Sequence, residues 1–458
     1  MQLATAFHSL VDLWRPGFRQ GRMHRRIVGL TVGLLCTVGR RTVLRVINST
    51  RDEDASFSAD YLALSRSEWD TKDLFNPILN EATTHAKGDV VVVGIDDTLL
   101  RKTGLKIPDT SWNRDPLGPK FRTNIVWGIR YLTAAILLPL HAVEGSARAI
   151  PIKFEQLRSS KKPKKNASED EKKQFREHRA SFSVSSVALA SIGEIRTALD
   201  ATSAKPKTLL VVGDGSFCNR TLFRAILDRT ELMCRARKDA KLCKRASGQS
   251  RRFFSKETFT PEQVLKDPKV KWREVRLFYG SGPIVVRYKE INNVFWRTGA
   301  ARKPLRLLVV APIPYQPRTQ GNRNLRQPGY LLTTSLSLDP QTLLQSYLDR
   351  WQIEVTHRDL KTNLGAAHPQ VRNPRSVERA PALIAASYSA LILAALRAFG
   401  PGDHSIYEAG RTSRKPRSRP SIQDLITLLR CEISNSDELQ RTFGIQTSFE
   451  RLILKAAA

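Results

Sequence analysis

Cysteine is scarce: Cys36, Cys218, Cys234, Cys243 and Cys431 are the five in 458 residues, and no two form a Cys-x-x-Cys pair. This excludes a disulfide scaffold and a cysteine-rich zinc module, and it fits reduced core thiols in a cytoplasmic protein. Histidine is equally sparse, eight residues with no His-x-x-x-His pair, so the common helical zinc arrangement is missing. Neither a P-loop nor a Gly-x-Gly-x-x-Gly fingerprint occurs, and no internal repeat points to a solenoid. Long apolar runs are few. Residues 27–38 lie between Arg25-Arg26 and Arg40-Arg41 and are too short to span a bilayer; 380–396 is interrupted by Ser387, Tyr388 and Ser389. Both read as buried helices, and no membrane partner is expected. Acidic charge is in deficit. Asp plus Glu is 43 against 75 for Lys plus Arg, a formal net charge of +32. A chain so basic is expected to bind a polyanion, nucleic acid before an anionic membrane surface.

What is present is an ordinary globular composition, 41% hydrophobic and 26% charged, long enough for two or three domains. Residues 1–85 read as helical and basic. Arg15, Arg19, Arg22, Arg25 and Arg26 precede the first apolar run, and Arg40, Arg41 and Arg45 follow it. That pattern serves a small DNA-binding region or a solvated basic face. From Asp89 the character changes. Val-Val-Val-Val-Gly-Ile at 90–95 reads as a fully buried strand. A loop marked by Gly104, Pro108, Pro116, Gly118 and Pro119 follows, then an apolar stretch over 124–140 long enough for two strands. Residues 152–179 are heavily charged, with a Lys-rich loop at 161–165 and a Ser168–Glu171 capping box that opens a helix. The pattern predicts a helix over 183–199, a second buried strand over 208–213, a helix over 220–229 and a strand over 231–237. Residues 241–338 are β-like, basic and aromatic, punctuated by Pro and Gly as antiparallel strands are. One long helix is expected over 343–364. A Pro/Arg-rich linker at 414–420 leads to a last helix over 422–430, capped by Ser421.

Two buried strands lead into similar sequences, Asp96-Asp97-Thr98 and Asp214-Gly215-Ser216. An Asp at the mouth of an apolar strand needs hydrogen bonds or a cation, and each alone is explained by a turn or a helix cap. As a pair at neighbouring strand ends they are suited to holding a divalent metal through oxygen. On the long helix, Tyr347, Arg350, Glu354 and Lys361 are spaced by three, four and seven residues. At about 100° per residue they fall within a ~60° arc of one face. An Arg350–Glu354 ion pair on a solvated face accounts for this, and so does a metal-binding carboxylate flanked by phosphate-binding cations.

The run Tyr347-Leu-Asp-Arg350-Trp-Gln-Ile-Glu354-Val-Thr-His-Arg-Asp-Leu-Lys361 resembles the Tyr-Arg-Glu-Lys signature of a large group of DDE transposases of bacterial insertion sequences. The Asp96 strand, the Asp214 strand and this helix follow in that group's order, and the resemblance covers roughly residues 57–400. It implies an α/β, RNase H-like fold: a five-stranded mixed sheet with helices on both faces, a β-rich insertion domain, and helical N- and C-terminal regions. The parts would be a basic DNA-binding region at 1–85, the first half of the catalytic core at 86–240, the insertion at 241–338, the second half at 339–400 and a tail at 401–458. It also implies a catalytic and metal-binding triad of Asp96, Asp214 and Glu354. Asp97 competes with Asp96 as first ligand. Asp96 is preferred because Asp96-x-Thr98 matches Asp214-x-Ser216 and side chains alternate along a strand.

Such a triad would hold two Mg²⁺ ions, or Mn²⁺ in their place, about 3.5–4 Å apart. The chemistry implied is DNA cleavage at the element's terminal inverted repeats, then strand transfer of the freed 3′-OH into target DNA. Arg350 and Lys361 would hold phosphates and Tyr347 would help position the backbone. Relatives use an aromatic residue of the insertion to hold a flipped base, and Trp296 resembles it; Phe295 and Trp296 packing the β core is the alternative. The expected partner is double-stranded DNA, bound by a homodimer in a synaptic complex, in a bacterial cytoplasm near the nucleoid. Rival readings are a non-catalytic DNA-binding regulator on a domesticated transposase fold and an RNase H-like nuclease that cuts without joining.

Overall fold

The computed structural model describes residues 2–51, 57–115, 123–139, 147–159, 162–246, 248, 251–279, 282–315, 324–401 and 420–445. The loop positions Pro116, Gly118, Pro119 and Lys161, and the linker up to residue 419, lie outside these residues. Four strands open the central sheet: β1 (Val90–Arg101), β2 (Ser111–Arg114), β3 (Ile125–Pro139) and β4 (Ala147–Gln156). The Val-rich run is only the first half of β1. The strand continues past Asp96 because β3 supports it, pairing antiparallel from Val93↔Ile136 to Arg101↔Gly128. On the other edge β5 (Thr208–Gly213) runs parallel to β1, from Val90↔Thr208 to Gly94↔Val212. Asp96 therefore sits inside a strand, yet past the end of its parallel ladder.

The stretch at 124–140 forms one strand rather than two. β3 spans 15 residues, which lets it pair with β1 along one edge and with β2 and then β4 along the other. β4 has no counterpart among the expected elements. Nearly all of it is buried, so it carries no alternating pattern. β6 (Thr230–Arg235) adds a second parallel neighbour to β5. The order β4-β3-β1-β5-β6, with β1, β5 and β6 parallel, is the mixed five-stranded sheet of an RNase H-like fold.

The block at 241–338 continues this sheet. It contains β7 (Leu242–Arg245), β8 (Phe254–Phe259), β9 (Arg273–Tyr279), β10 (Gly282–Val294), β11 (Leu305–Val310), β12 (Pro314–Tyr315), β13 (Asn324–Leu325) and β14 (Gly329–Thr333). β14 pairs antiparallel with β6, and β11, β10 and β9 follow outward, so that the described residues form one ten-stranded sheet. β7–β8 and β12–β13 are separate two-stranded ribbons.

Among the described residues, five α-helices precede the sheet: α1 (Leu3–Asp12), α2 (Gly21–Cys36), α3 (Val43–Asn48), α4 (Ser58–Ser65) and α5 (Lys72–Thr84). Part of the basic charge there is structural. Arg26 and Arg51 pair with the buried Asp60, and Arg41 is buried on the carbonyls of Leu34 and Gly39. Arg19, Arg22, Arg25, Arg40 and Arg45 remain exposed. α6 (Glu169–Ser181) opens with the expected capping box, and α7 (Val184–Asp200) packs beneath the sheet, where Ser191 donates to Glu155 of β4. α8 (Arg220–Arg224) is half the expected length, since Ala225 turns to an extended conformation. α9 (Pro261–Lys266) and α10 (Arg297–Ala300) are short. The helix expected over 343–364 divides at Arg350 into α11 (Pro340–Asp349) and α12 (Trp351–Thr362), with a tighter turn where the Ile353 N–H donates to the Arg350 carbonyl at 2.9 Å.

α13 (Pro374–Phe399) is the one helix among the described residues long and apolar enough to cross a membrane, and it is mostly buried within the fold. α14 (Ile422–Ser434) and α15 (Asp437–Phe443) pack back on the N-terminal helices. Cys431 on α14 is exposed, contrary to the expectation that every thiol is a core group.

α12 approaches the sheet closely at Gly94. A Cβ there would lie 2.4 Å from Cδ1 of the fully buried Ile353. Gly94→Ala is expected to lose about 1–3 kcal/mol of stability in urea unfolding, and Ile353→Val in the same chain to restore part of it.

Candidate active site

The parallel strands β1 and β5 bring their carboxyl ends together. Asp214 directly follows β5, and Asp96 lies just past the last β1–β5 pair. α12 is laid across them by three contacts. Ile353 sits on Gly94, Thr356 donates to the Ala149 carbonyl at 2.9 Å, and His357 Nε2 meets Thr133 Oγ1 at 2.8 Å. Thr133 is the cross-strand partner of Asp96, so Glu354, one turn before His357, is held over Asp96.

Arg350 connects the acids. Its Nη1 donates to Asp96 Oδ2 at 3.1 Å and its Nη2 to Glu354 Oε1 at 3.2 Å. Its Nε is buried without a hydrogen-bond partner, and its guanidinium lies 6.0 Å from the centre of the Tyr347 ring. Burial pushes the Asp96 carboxyl up to about 7; Arg350 opposes this, while the nearby Asp214 and Asp97 raise it further. Burial also raises Glu354, again against Arg350 and with Asp214 adding to the rise. Burial disfavours the Arg350 charge, but Asp96, Tyr347 and Glu354 outweigh it and raise its pKa. Asp214 thus acts on both Asp96 and Glu354, and a single guanidinium bonds the two.

Asp97 goes elsewhere. Its Oδ2 accepts from Arg130 Nε and Nη2 at 2.9 and 2.6 Å on the opposite face of the sheet. The shared pattern with a hydroxyl two residues on holds only for Asp214, which accepts from the N–H and Oγ of Ser216 at 2.8 and 2.6 Å. Asp96 accepts from the Asp97 N–H instead, at 2.8 Å, and Thr98 stays within the strand.

The remaining expected residues are spread around this centre. Lys361, in the last turn of α12, is partly buried; burial lowers its pKa, and both Asp96 and Asp97 act on it. Tyr347 lines a cleft of about 540 Å³ beside Arg350, between α11 and the outer strands. Trp351, Tyr279 and Arg326 also line it, with Arg326 5.4 Å from the Tyr279 ring centre and 5.5 Å from that of Trp351. Trp296 does not line this cleft. It packs edge-on against Phe223, 5.9 Å between ring centres, and over Gly299. Sequence reasoning missed Arg130, Tyr279 and Arg326, which stand in no motif. Trp351 was within reach, since it follows Arg350 directly.

Among the described residues, no group of three His, Cys, Asp or Glu is gathered closely enough to form a ready metal cage. The donor set still fits a divalent cation. It is all carboxylate oxygen, and the Asp214 carboxylate raises the pKa of both Asp96 and Glu354, a repulsion that a cation relieves. Asp96, Asp214 and Glu354 are the residues that would hold it.

His357 is buried between the cations of the helix. Burial, with Lys361 and Arg350 adding, pushes its pKa down to about 3, so the imidazole is neutral in the folded protein. The unfolded chain takes up this proton near pH 6.5, so the stability His357 contributes is complete above pH 6.5 and is lost as pH falls from there toward 3. Between pH 7.5 and 5.5 this group alone is expected to remove about 1.4 kcal/mol. His357→Gln should abolish that part of the loss in paired urea titrations.

Two family models match the chain. One, described as DDE superfamily endonuclease, matches residues 15–277 and includes Asp96 and Asp214. The other, described as Transposase DDE domain, matches residues 178–390 and includes Asp214 and Glu354. A search of curated proteins found no match. With the first match covering more than half of its length, on an RNase H-like sheet, the chain belongs to the DDE superfamily of endonucleases and transposases.

Proposed function

We propose that the protein is a transposase of the Tyr-Arg-Glu-Lys group. It would cleave DNA at the ends of its element and transfer the freed strand to target DNA, with Asp96, Asp214 and Glu354 as the catalytic triad. The observation that carries this reading is Arg350, which draws the carboxylates of Asp96 and Glu354 together beside Asp214. Asp96, Asp214 and Glu354 would hold a pair of divalent ions, Mg²⁺ or Mn²⁺, which would supply the charge to activate the attacking oxygen and stabilise the leaving one.

The chain's own residues supply placement and charge. Arg350 and Lys361 present cations to the phosphates beside the cut, and the Arg350 fork suits a phosphate as it suits carboxylates. Tyr347, packed against Arg350 and half-buried at the cleft, orients the backbone. His357 stays neutral and hydrogen-bonded to Thr133, so it fixes the pitch of α12 without adding charge. Bridging two element ends calls for a dimer with the terminal inverted repeats, and the exposed arginines of the N-terminal helices offer it a phosphate-binding surface.

Cleavage of a supercoiled plasmid carrying the DNA that flanks the reading frame tests this. Cutting is expected to require Mg²⁺ or Mn²⁺ and to vanish in Asp96→Asn, Asp214→Asn and Glu354→Gln. Asp97→Asn should still cut, because its carboxylate is engaged by Arg130 on the other face. DNA binding without cutting in the wild type would favour the non-catalytic regulator instead.

Mn²⁺ binding is expected to tighten with pH. Asp96 must release a proton held up to about 7, so affinity rises up to about tenfold per pH unit from pH 5.5 to 7 and levels off above. Calorimetric titrations across that range read this directly.

A further inference from the structure

The face of the sheet that carries Asp96 extends well past α12. Directly opposed residues of an antiparallel pair point to one side, and sides alternate along each strand. Asp96 opposes Thr133, Thr98 opposes Tyr131 and Leu100 opposes Ile129. Farther along β3, Trp127 opposes Trp112 and Ile125 opposes Arg114 of β2. All of these share the Asp96 face. Its inner part is covered, by His357 on Thr133 and by α13, where the Tyr131 hydroxyl donates to the Val377 carbonyl. Its outer part is open: Trp112 is 67% and Ile125 53% exposed, and Arg114 is exposed beside them.

Trp112 is held in place rather than loose. Its ring meets Trp127 edge-on, 5.4 Å between centres, and the Trp127 indole N–H donates to the Gly104 carbonyl at 3.1 Å. The hairpin is pinned where Arg101 pairs with Asp115 at 2.7 Å and the Asp115 N–H donates to the Asn124 carbonyl at 2.8 Å. An indole presented rigidly to water, on an edge strand and beside Arg114, is a contact surface prepared in advance.

We propose that this outer face binds the duplex flanking the scissile phosphate, with Trp112 wedged between base pairs in the minor groove and Arg114 on the adjacent backbone. The inference rests on the DNA-cleaving reading of Asp96, Asp214 and Glu354. Trp127 stands opposite Lys102, whose N–H donates to its carbonyl at 3.0 Å. From Asp96 to Lys102 the strand rises about 20 Å, or about six base pairs at 3.4 Å each. An apolar side chain inserted at a base step kinks DNA, and a kink there would turn the flanking duplex along the sheet. The occupant is DNA rather than a second copy of the chain because Arg114 stands exposed on the same face two residues along β2 from the indole, in a chain with a formal net charge of +32.

The test uses the full chain with Glu354→Gln, so that DNA stays intact. The probe is a duplex of about 40 base pairs centred on a cut position mapped in the plasmid assay, with a fluorophore at each end. Energy transfer between the ends reads the bend, and anisotropy reads affinity. Trp112→Ala is expected to abolish the bend and to weaken binding about 5- to 100-fold. Trp112→Phe should keep most of both, and Arg114→Gln should weaken binding and lower its salt dependence. Trp112 is exposed, and an unchanged thermal melt confirms that the Ala variant folds. Unaltered bend and affinity in Trp112→Ala, while the plasmid is still cut by protein with Glu354 intact, would overturn the proposal and leave the catalytic reading standing. A wild-type chain that neither binds nor cuts DNA would overturn both. A DNA-independent dimer that dissociates on Trp112→Ala would assign the face to a protein interface and also overturn it.

Discussion

One guanidinium stands where three negative charges converge. Arg350 bonds Asp96 of β1 and Glu354 of α12, residues 254 and four positions away in sequence, and Asp214 acts on it from the end of β5. Without that cation, two half-buried carboxylates would face a third across a poorly hydrated gap, a strongly unfavourable arrangement. The interaction also has a mechanical side. It ties the helix that follows the long insertion to the first strand of the core, and the division between α11 and α12 falls at this same residue. The break in the helix and the placement of its side chain belong to one feature. A straight helix through 350 would keep the spacing of the signature without the local turn that the Ile353 N–H closes.

The second constraint is continuity of the sheet. The insertion hydrogen-bonds to the core through β14 and β6, and β11, β10 and β9 extend from there. Strands that share one sheet cannot pivot like a domain on a flexible linker. The cleft beside Arg350 therefore has walls from both parts, α11 on one side and Tyr279 and Arg326 on the other, held at a fixed spacing. Edge-to-edge growth also removes the open edge that β6 would otherwise present.

Much of this was legible in the chain. The β-branched runs at 90–95 and 208–213 identify buried parallel strands. The Ser168–Glu171 and Ser421–Asp424 caps locate helices whose starts match. Spacing alone puts Tyr347, Arg350, Glu354 and Lys361 on one face. What escaped did so for physical reasons. β4 is buried on both faces and shows no alternation. The extension of β1 past Asp96 depends on β3, a partner no local pattern reveals. Arg350 divides a helix that periodicity draws as one, because the deciding contacts are with Asp96 on a distant strand. Arg130, Tyr279 and Arg326 reach the site or its rear face through pairing and cross-chain stacking, which leave no local trace.

The pair formed by Asp97 and Arg130 has a consequence for how the strand is aligned. Asp96 and Asp97 are chemically alike, so the two acids do not by themselves tell the folding chain which belongs on which side. A slip of one residue against β3 would exchange them and place a plausible carboxylate in the site with every later side chain inverted. Arg130 breaks the ambiguity. It offers a fork to an acid on the rear face only, and the correct alignment alone satisfies both guanidiniums, Arg130 behind the sheet and Arg350 in front. The two arginines together act as a keyed lock, so the doubled aspartate, which looks redundant, works as a marker of alignment.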